Sequence, residues 1–404
     1  MILLSWDGTR HDYPDRARLP GLERMEREGA RARGLRPIFP ANTFPNHAAL
    51  ATGAYAERHG IVGNRFRDRE RGVYRRESDA SWLEAEPVWV TAERQGVRAA
   101  VFYWVGSETA WHGTAASYVK APFDGSVPES AKVEQILAWL DLPEDARPRL
   151  ILSWWHGADA VGHRKGPGDS AVVRQLERQD RALQRLLAGL DARGLWTETT
   201  LIVTSDHGMA RADERLDVRG ALARAGLGAE LYPGGGMAYV WLDQPERRSE
   251  ALAVLATLEP VRAWPSDQIP RELHAVHPLR SGDLTLMTRP PYSFYPPSLT
   301  SRLRGLVGGH GYAPDLPEMS AIFYALGRGV KPGHRLGEVR AVDVAPTVTR
   351  LLGINPPRHV QGKPLAELTP PREPAPEDAE GEAAPSADRL PPQRDATRAP
   401  AGAP

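Results

Sequence analysis

The chain has 404 residues, with 51 lysines and arginines balanced by 51 aspartates and glutamates, and so no formal net charge. That balance argues against a protein built around nucleic acid or an anionic membrane surface, since either favours a basic excess. There are no cysteines, so disulfides, thiolate metal sites and thiol nucleophiles are excluded together.

In chain order, Ile2–Ser5 reads as a buried strand ending at Asp7-Gly8, and Leu19–Arg33 has helical spacing. No charged segment and apolar stretch precede that first strand, so no signal peptide is expected in this chain; the abrupt apolar start leaves the compartment unassigned. Val97–Trp104 and Leu150–Trp155 read as strands. Ala171–Leu190 is an amphipathic helix with Val173, Leu176, Leu183, Leu187 and Leu190 on one stripe. Thr200–Thr204 is a third buried strand, ending at Ser205-Asp206-His207. Ala321–Leu326 is another strand, and Asp343–Leu352 a short helix stopped by Gly353.

Strand and helix alternate, which predicts an α/β fold with a mostly parallel sheet covered on both faces. The alternation weakens between about 210 and 300, around Pro233-Gly234-Gly235-Gly236 and Arg289-Pro290-Pro291, so an inserted cap is expected there. Pro370–Pro404 holds nine prolines and nine alanines in 35 residues, with Leu390 its only aliphatic larger than alanine. Such sequence cannot bury enough surface to offset its ordering entropy. A folded domain over 1–368 and a disordered tail over 369–404 are therefore expected. No apolar run is long enough to span a membrane.

In parallel sheets, functional groups gather at the carboxyl ends of the strands. Asp7 follows the first strand, Asp159 and His163 follow the strand at 150–155, and Asp206 and His207 follow the strand at 200–204. His310 sits in the flexible run Gly308-Gly309-His310-Gly311-Tyr312. Each group alone also reads as a turn, a cap or a satisfied histidine. Their recurrence at three strand ends favours metal ligation, and a donor set of carboxylates and imidazoles suits zinc or another first-row metal. Six such ligands divide into two ions. His11, His59, His156, His274 and His277 read as structural or surface residues.

Phe39–Leu50 is a loop entering a helix, with Pro45 in the first turn, where its missing N–H is harmless. A hydroxyl there stands among free N–H groups that favour phosphate. Thr43 is thus a nucleophile if a metal lowers its pKa, or else the helix cap. Spacing alone does not choose between these.

Seven segments carry a resemblance. They are Trp6-Asp7-Gly8-Thr9-Arg10, Asn42-Thr43-Phe44-Pro45-Asn46-His47, His59-Gly60-Ile61-Val62-Gly63-Asn64, Glu86-Pro87-Val88-Trp89-Val90-Thr91-Ala92, Asp159-Ala160-Val161-Gly162-His163, Thr204-Ser205-Asp206-His207-Gly208-Met209 and Gly309-His310-Gly311-Tyr312. In this order they resemble the nucleotide pyrophosphatase/phosphodiesterase family of the alkaline phosphatase superfamily, over residues 1 to about 368 and most weakly in 210–300. The resemblance implies an alkaline-phosphatase-like fold and a hydrolase with two zinc ions or other divalent metals. One ion would be held by Asp7, Asp206 and His207 and would coordinate the Thr43 oxygen; Asp159, His163 and His310 would hold the other.

The same resemblance gives Asn64 a donor role toward a phosphoryl oxygen, alongside the backbone N–H of Phe44. Phe44 and Phe123 match the aromatic pair that sandwiches a nucleotide base. The second position is often tyrosine in the family, so Phe123 keeps the ring face and loses a hydroxyl. The implied reaction releases nucleoside 5'-monophosphates from nucleotide diesters and pyrophosphates through a phosphothreonine-type intermediate. The implied partner is that small-molecule substrate, without a nucleic-acid-binding module, and the oligomeric state stays open. Family members are commonly extracytoplasmic. Because the motifs do not fix the substrate pocket, a phosphodiesterase acting on phospholipid headgroups is the alternative. A phosphomonoesterase comes behind it, since no matching arginine motif accompanies Thr43.

Overall fold

The central sheet has eight strands, in the order His334–Arg340, Ala30–Arg36, Phe323–Gly327, Thr200–Thr204, Ile2–Trp6, Leu150–Trp155, Ala99–Phe102 and Tyr118–Lys120. A computed structural model describes residues 1–295 and 307–368, so the predicted tail lies outside the described residues. Phe323–Gly327 runs antiparallel to both its neighbours, while the remaining pairs are parallel. A strand buried on both faces needs a near-continuous apolar run, and Leu-Ile-Leu-Ser-Trp-Trp at 150–155 is buried throughout.

Two helix layers cover the sheet. Ser170–Ala192 packs on Pro20–Glu28, Glu129–Leu140 and Gly157–Lys165; Thr43–Thr52, Val88–Glu93 and Val344–Leu352 pack on one another. This is the α/β architecture that the alternation implies. The buried stripe of the long helix is Val172, Leu176, Leu183, Leu187 and Leu190, with Val172 in the place expected for Val173.

The helix read over 19–33 is shorter than expected. It ends at Glu28, and Ala30–Arg36 is a sheet strand. Ala30 and Ala32 turn inward while Arg31 and Arg33 turn out, the two-residue period of a strand. Gly29 is the residue after the helix, and it passes so close to the neighbouring strand that a Cβ there would lie 2.1 Å from the Ala325 carbonyl oxygen.

Residues 229–287 build a second, antiparallel sheet in the order Ala229–Pro233, Met237–Leu242, Leu284–Met287 and Arg262–Pro265. It has its own core, including Val218, Leu222, Val240, Leu255, Leu284 and Phe294. Its short strands, interrupted by glycine and proline turns, explain why helix–strand alternation fades here. No helix among the described residues is long and apolar enough to cross a membrane.

Candidate active site

The sheet register aligns three strand ends. Ser5 stands opposite both Trp154 and Thr204 in its neighbours. Asp7, the Gly157–Lys165 helix with Asp159 and His163, and Asp206-His207 therefore emerge side by side at one edge. Gly8 makes the approach close enough: its φ is +66°, and a Cβ there would lie 2.8 Å from the Asp159 Cα. Only glycine accepts both that backbone and that contact.

Six predicted ligands meet there. His207 Nε2 lies 3.2 Å from Asp206 Oδ2 and 3.6 Å from Asp7 Oδ1. His163 Nε2 is 3.3 Å from Asp159 Oδ1, and His310 Nε2 is 3.1 Å from His163 Nε2. Ligand atoms of Asp159, His163 and His310 form one tight group, and those of Asp7, Asp159 and His207 form another. Asp159 thus stands in both, whereas the resemblance pairs Asp206 with Asp7 and His207.

Two observations test whether these residues suit metal ions. Asp7 Oδ1, Asp159 Oδ1 and Asp206 Oδ2 are buried without a hydrogen-bond donor, and buried acceptors of that kind need compensation. The imidazoles do not supply it. His207 Nδ1 is 2.8 Å from the Gly208 carbonyl, His163 Nδ1 is 2.9 Å from that of Gly308, and His310 Nδ1 is 3.1 Å from that of Ala41. A carbonyl only accepts, so each Nδ1 carries the proton and each Nε2 presents a lone pair to the carboxylates. With the imidazoles neutral, lone pairs of three carboxylates and three imidazoles face one another. Divalent cations complete such an arrangement.

With no cation present the cluster competes for protons instead, and the Asp159 carboxylate pushes the His163 imidazole up despite its burial. Burial, reinforced by the Asp206 and Asp159 carboxylates, pushes the Asp7 carboxyl well above its ordinary range. Burial opposes charge on Asp159 and Asp206 too, but His163 and His207 respectively outweigh it and hold both below the usual range. Burial, then His207 and His163, push the His310 imidazole well down.

Thr43 is the first residue of the buried helix Thr43–Thr52, whose N-cap is Asn42. Its hydroxyl does not cap the helix; Oγ1 points at His207 Nε2, 3.2 Å away. Asn42 makes no side-chain cap either, because its Oδ1 accepts from His310 Nδ1 at 2.8 Å. Asn46 clamps the loop before the helix, accepting from the Ile38 N–H and donating to the Pro40 and Asn42 carbonyls.

Asn64 Oδ1 accepts the Phe44 N–H at 2.9 Å. In this arrangement the Phe44 N–H is engaged by protein, and the Asn64 Nδ2 has no hydrogen-bond partner among the described residues. Phe44 and Phe123 line a common cavity of about 570 Å³. Phe123, a large hydrophobic residue, is left 39% exposed.

Three residues here escaped the sequence reading. Trp154 donates Nε1–H to Asp7 Oδ2 at 2.9 Å and stacks on Phe123, with centroids 4.7 Å apart. A tryptophan at the end of a strand beside a carboxylate-bearing strand was the available signal. His47 is fully buried, its Nδ1 2.9 Å from the Thr43 carbonyl and 3.4 Å from Asp206 Oδ2. Its place four residues after Thr43, on the same helix face, points to this contact. Arg76, which lines the aromatic cavity, left no motif.

Residues 1–313 match the family model described as type I phosphodiesterase / nucleotide pyrophosphatase. A bis(5'-adenosyl)-triphosphatase of Xenopus laevis is 31% identical over 370 residues, covering 88% of this chain and 78% of that protein. A venom phosphodiesterase of Crotalus durissus collilineatus is 29% identical over 372 residues, covering 88% of this chain but 44% of its own length. The chain thus spans less than half of that relative. A solved structure of murine ectonucleotide pyrophosphatase/phosphodiesterase 5 superposes with a TM-score of 0.81 at 24% identity, covering 88% of this chain and 95% of that one. That likeness bears on the fold. A structure of an inactive variant of the same murine protein is in complex with AMP. By the family match and the Xenopus relative together, the chain belongs to the type I phosphodiesterase / nucleotide pyrophosphatase family.

Proposed function

We propose that this protein hydrolyses phosphodiester and pyrophosphate bonds of nucleotides, with Thr43 as nucleophile, releasing nucleoside 5'-monophosphates. The observation that carries the reading is the Thr43 hydroxyl, held at a buried helix start and aimed at the ligand cluster instead of capping its helix. Asp7, Asp206 and His207 would hold one divalent cation and Asp159, His163 and His310 a second, with zinc the metal that the oxygen and nitrogen donors suit. When bound, such a pair lowers the proton affinity of a hydroxyl and neutralises charge around phosphorus.

The chain's own residues do the positioning. The Thr43 oxygen forms a bond to phosphorus as the bond to the leaving oxygen breaks, and the leaving group departs as an alcohol or phosphate. Water then forms the next bond to phosphorus and the Thr43 oxygen leaves, regaining its proton. Asn64 presents its amide N–H to a phosphoryl oxygen, and the start of the helix favours the negative charge. His47 fixes the first turn of the helix against Asp206. Phosphoryl transfer asks for little beyond such placement and charge neutralisation.

The aromatic cavity supports a nucleotide substrate. Phe44, Phe123 and Trp154 line it, and the murine structural relative is in complex with AMP. Stacking a base on an aromatic face is worth about 1–3 kcal/mol and discriminates weakly among bases. Phe123→Ala is therefore expected to raise KM for nucleotide esters about tenfold, whatever the base. Methyl para-nitrophenyl phosphate, which has no base, should be turned over unchanged. Equal weakening of both substrates in steady-state assays would make Phe123 a structural residue and move the phospholipid-headgroup reading ahead.

A further inference from the structure

Residues 60–64, which bring Asn64 to the reaction site, form neither helix nor strand. They run from the helix Ala56–His59 to the strand Arg65–Asp68 and are buried throughout. Buried backbone groups outside a helix or sheet need partners from elsewhere. The Ile61 N–H finds one locally, donating to His59 Nδ1 at 3.1 Å. The carbonyls of Gly60 and Val62 are met by side chains of the second sheet and its turns, far along the chain.

Tyr239, in the strand Met237–Leu242, donates its hydroxyl to the Val62 carbonyl at 3.2 Å. Arg280, in the turn ahead of Leu284–Met287, donates Nη1–H to the Gly60 carbonyl at 2.7 Å. Gly60 leaves room for it: its φ is +80°, and a Cβ there would lie 2.2 Å from that same nitrogen. Arg280 Nε also donates to Asp68 Oδ2 at 2.7 Å, and Nη2 lies 2.7 Å from Glu84 Oε1. The guanidinium therefore ties together Gly60 and Asp68, which flank Asn64 on either side in the chain.

The two side chains are themselves joined. Asp283, just past the Arg280 turn, donates its N–H to the Val240 carbonyl and accepts the Leu242 N–H, each at 2.8 Å, so the turn is bonded to the Tyr239 strand. Tyr239 and Arg280 are both buried. A planar guanidinium already held by two carboxylates loses little freedom in making a further bond, and so fixes its carbonyl closely. Asn64 has one anchor of its own, the Phe44 N–H on Oδ1. That bond sets the rotation of the amide; the backbone of the loop sets how far Nδ2 reaches.

We propose that the second sheet braces the loop that binds the phosphoryl group, with Tyr239 and Arg280 as positioning residues for the Asn64 amide. Neither side chain touches the substrate; each acts through the backbone that carries Asn64. The proposal rests on the reading of Asn64 as donor to a phosphoryl oxygen. A donor of that kind works by being in place before charge develops, and small misplacements cost rate.

The test measures kcat and KM on the full chain with its metals. The substrates are the para-nitrophenyl ester of adenosine 5'-monophosphate and methyl para-nitrophenyl phosphate. Tyr239→Phe removes one hydroxyl and keeps the buried ring; it should lower kcat about tenfold on both substrates with KM unchanged. Arg280→Lys, which keeps a cation beside Asp68 and Glu84 but loses the fork, should move kcat the same way. Asn64→Ala should lower kcat about a hundredfold or more. Adding Tyr239→Phe to Asn64→Ala should then cost less than about twofold further, since residues acting as one unit are not additive. A general loss of stability would instead lower activity by the same factor in both backgrounds. That equal loss, or a Tyr239→Phe protein with parental kcat, would overturn the brace. Parental kcat in Asn64→Ala alone would overturn the role of Asn64 beneath it.

Discussion

Thr43→Ala is expected to lower kcat by roughly four to six orders of magnitude, the scale seen when a nucleophile is removed from a preorganised site. Little else should change. The hydroxyl's one protein contact is His207, it does not cap the helix, and Asn46 fixes the preceding loop. The variant should therefore melt close to the parent and still bind nucleoside monophosphate. Thr43→Ser keeps the oxygen and loses the methyl group that restrains its rotamer, so a measurable fraction of turnover should survive. A Thr43→Ala protein within about tenfold of the parent would transfer the attack from this side chain to water.

Removal of metal should have an effect of similar size. Elemental analysis of the purified protein should find about two equivalents per chain. Prolonged chelation should abolish turnover, and zinc should restore it. Stability provides a second readout. Stripping the cations leaves three buried carboxylate oxygens facing three imidazole lone pairs, and uncompensated groups of that kind destabilise a fold strongly. The melting temperature should accordingly fall by several degrees on chelation and recover with zinc. Unchanged turnover in protein verified to be metal-free would remove the basis for the ligand assignment.

The parts of the fold that could be read from sequence are those where burial leaves one solution. Leu150–Trp155 and Thr200–Thr204 are buried along their whole length, and continuous apolar runs of that size mark central parallel strands. Ala30–Arg36 misled because alternating alanine and arginine fits the end of an amphipathic helix as well as a strand; tertiary pairing decided it. His334–Arg340, an edge strand, escaped because only Leu336 and Val339 among its residues are buried.

The candidate site divides the same way. Its acidic and imidazole groups were legible because strand ends in a parallel sheet converge by geometry. Trp154 and His47 were not, since each acts through one hydrogen bond to a residue distant in sequence or across a helical turn.

The most direct measurement is acid quenching of the protein during turnover of adenosine triphosphate, followed by mass analysis of the peptide that carries Thr43. Attack by the Thr43 oxygen predicts that this peptide gains the mass of an adenylyl group at residue 43, that the label decays at a rate matching or exceeding turnover, and that Thr43→Ala shows none. A parent protein that turns over rapidly with no label on that peptide, or with the label on another residue, would contradict it.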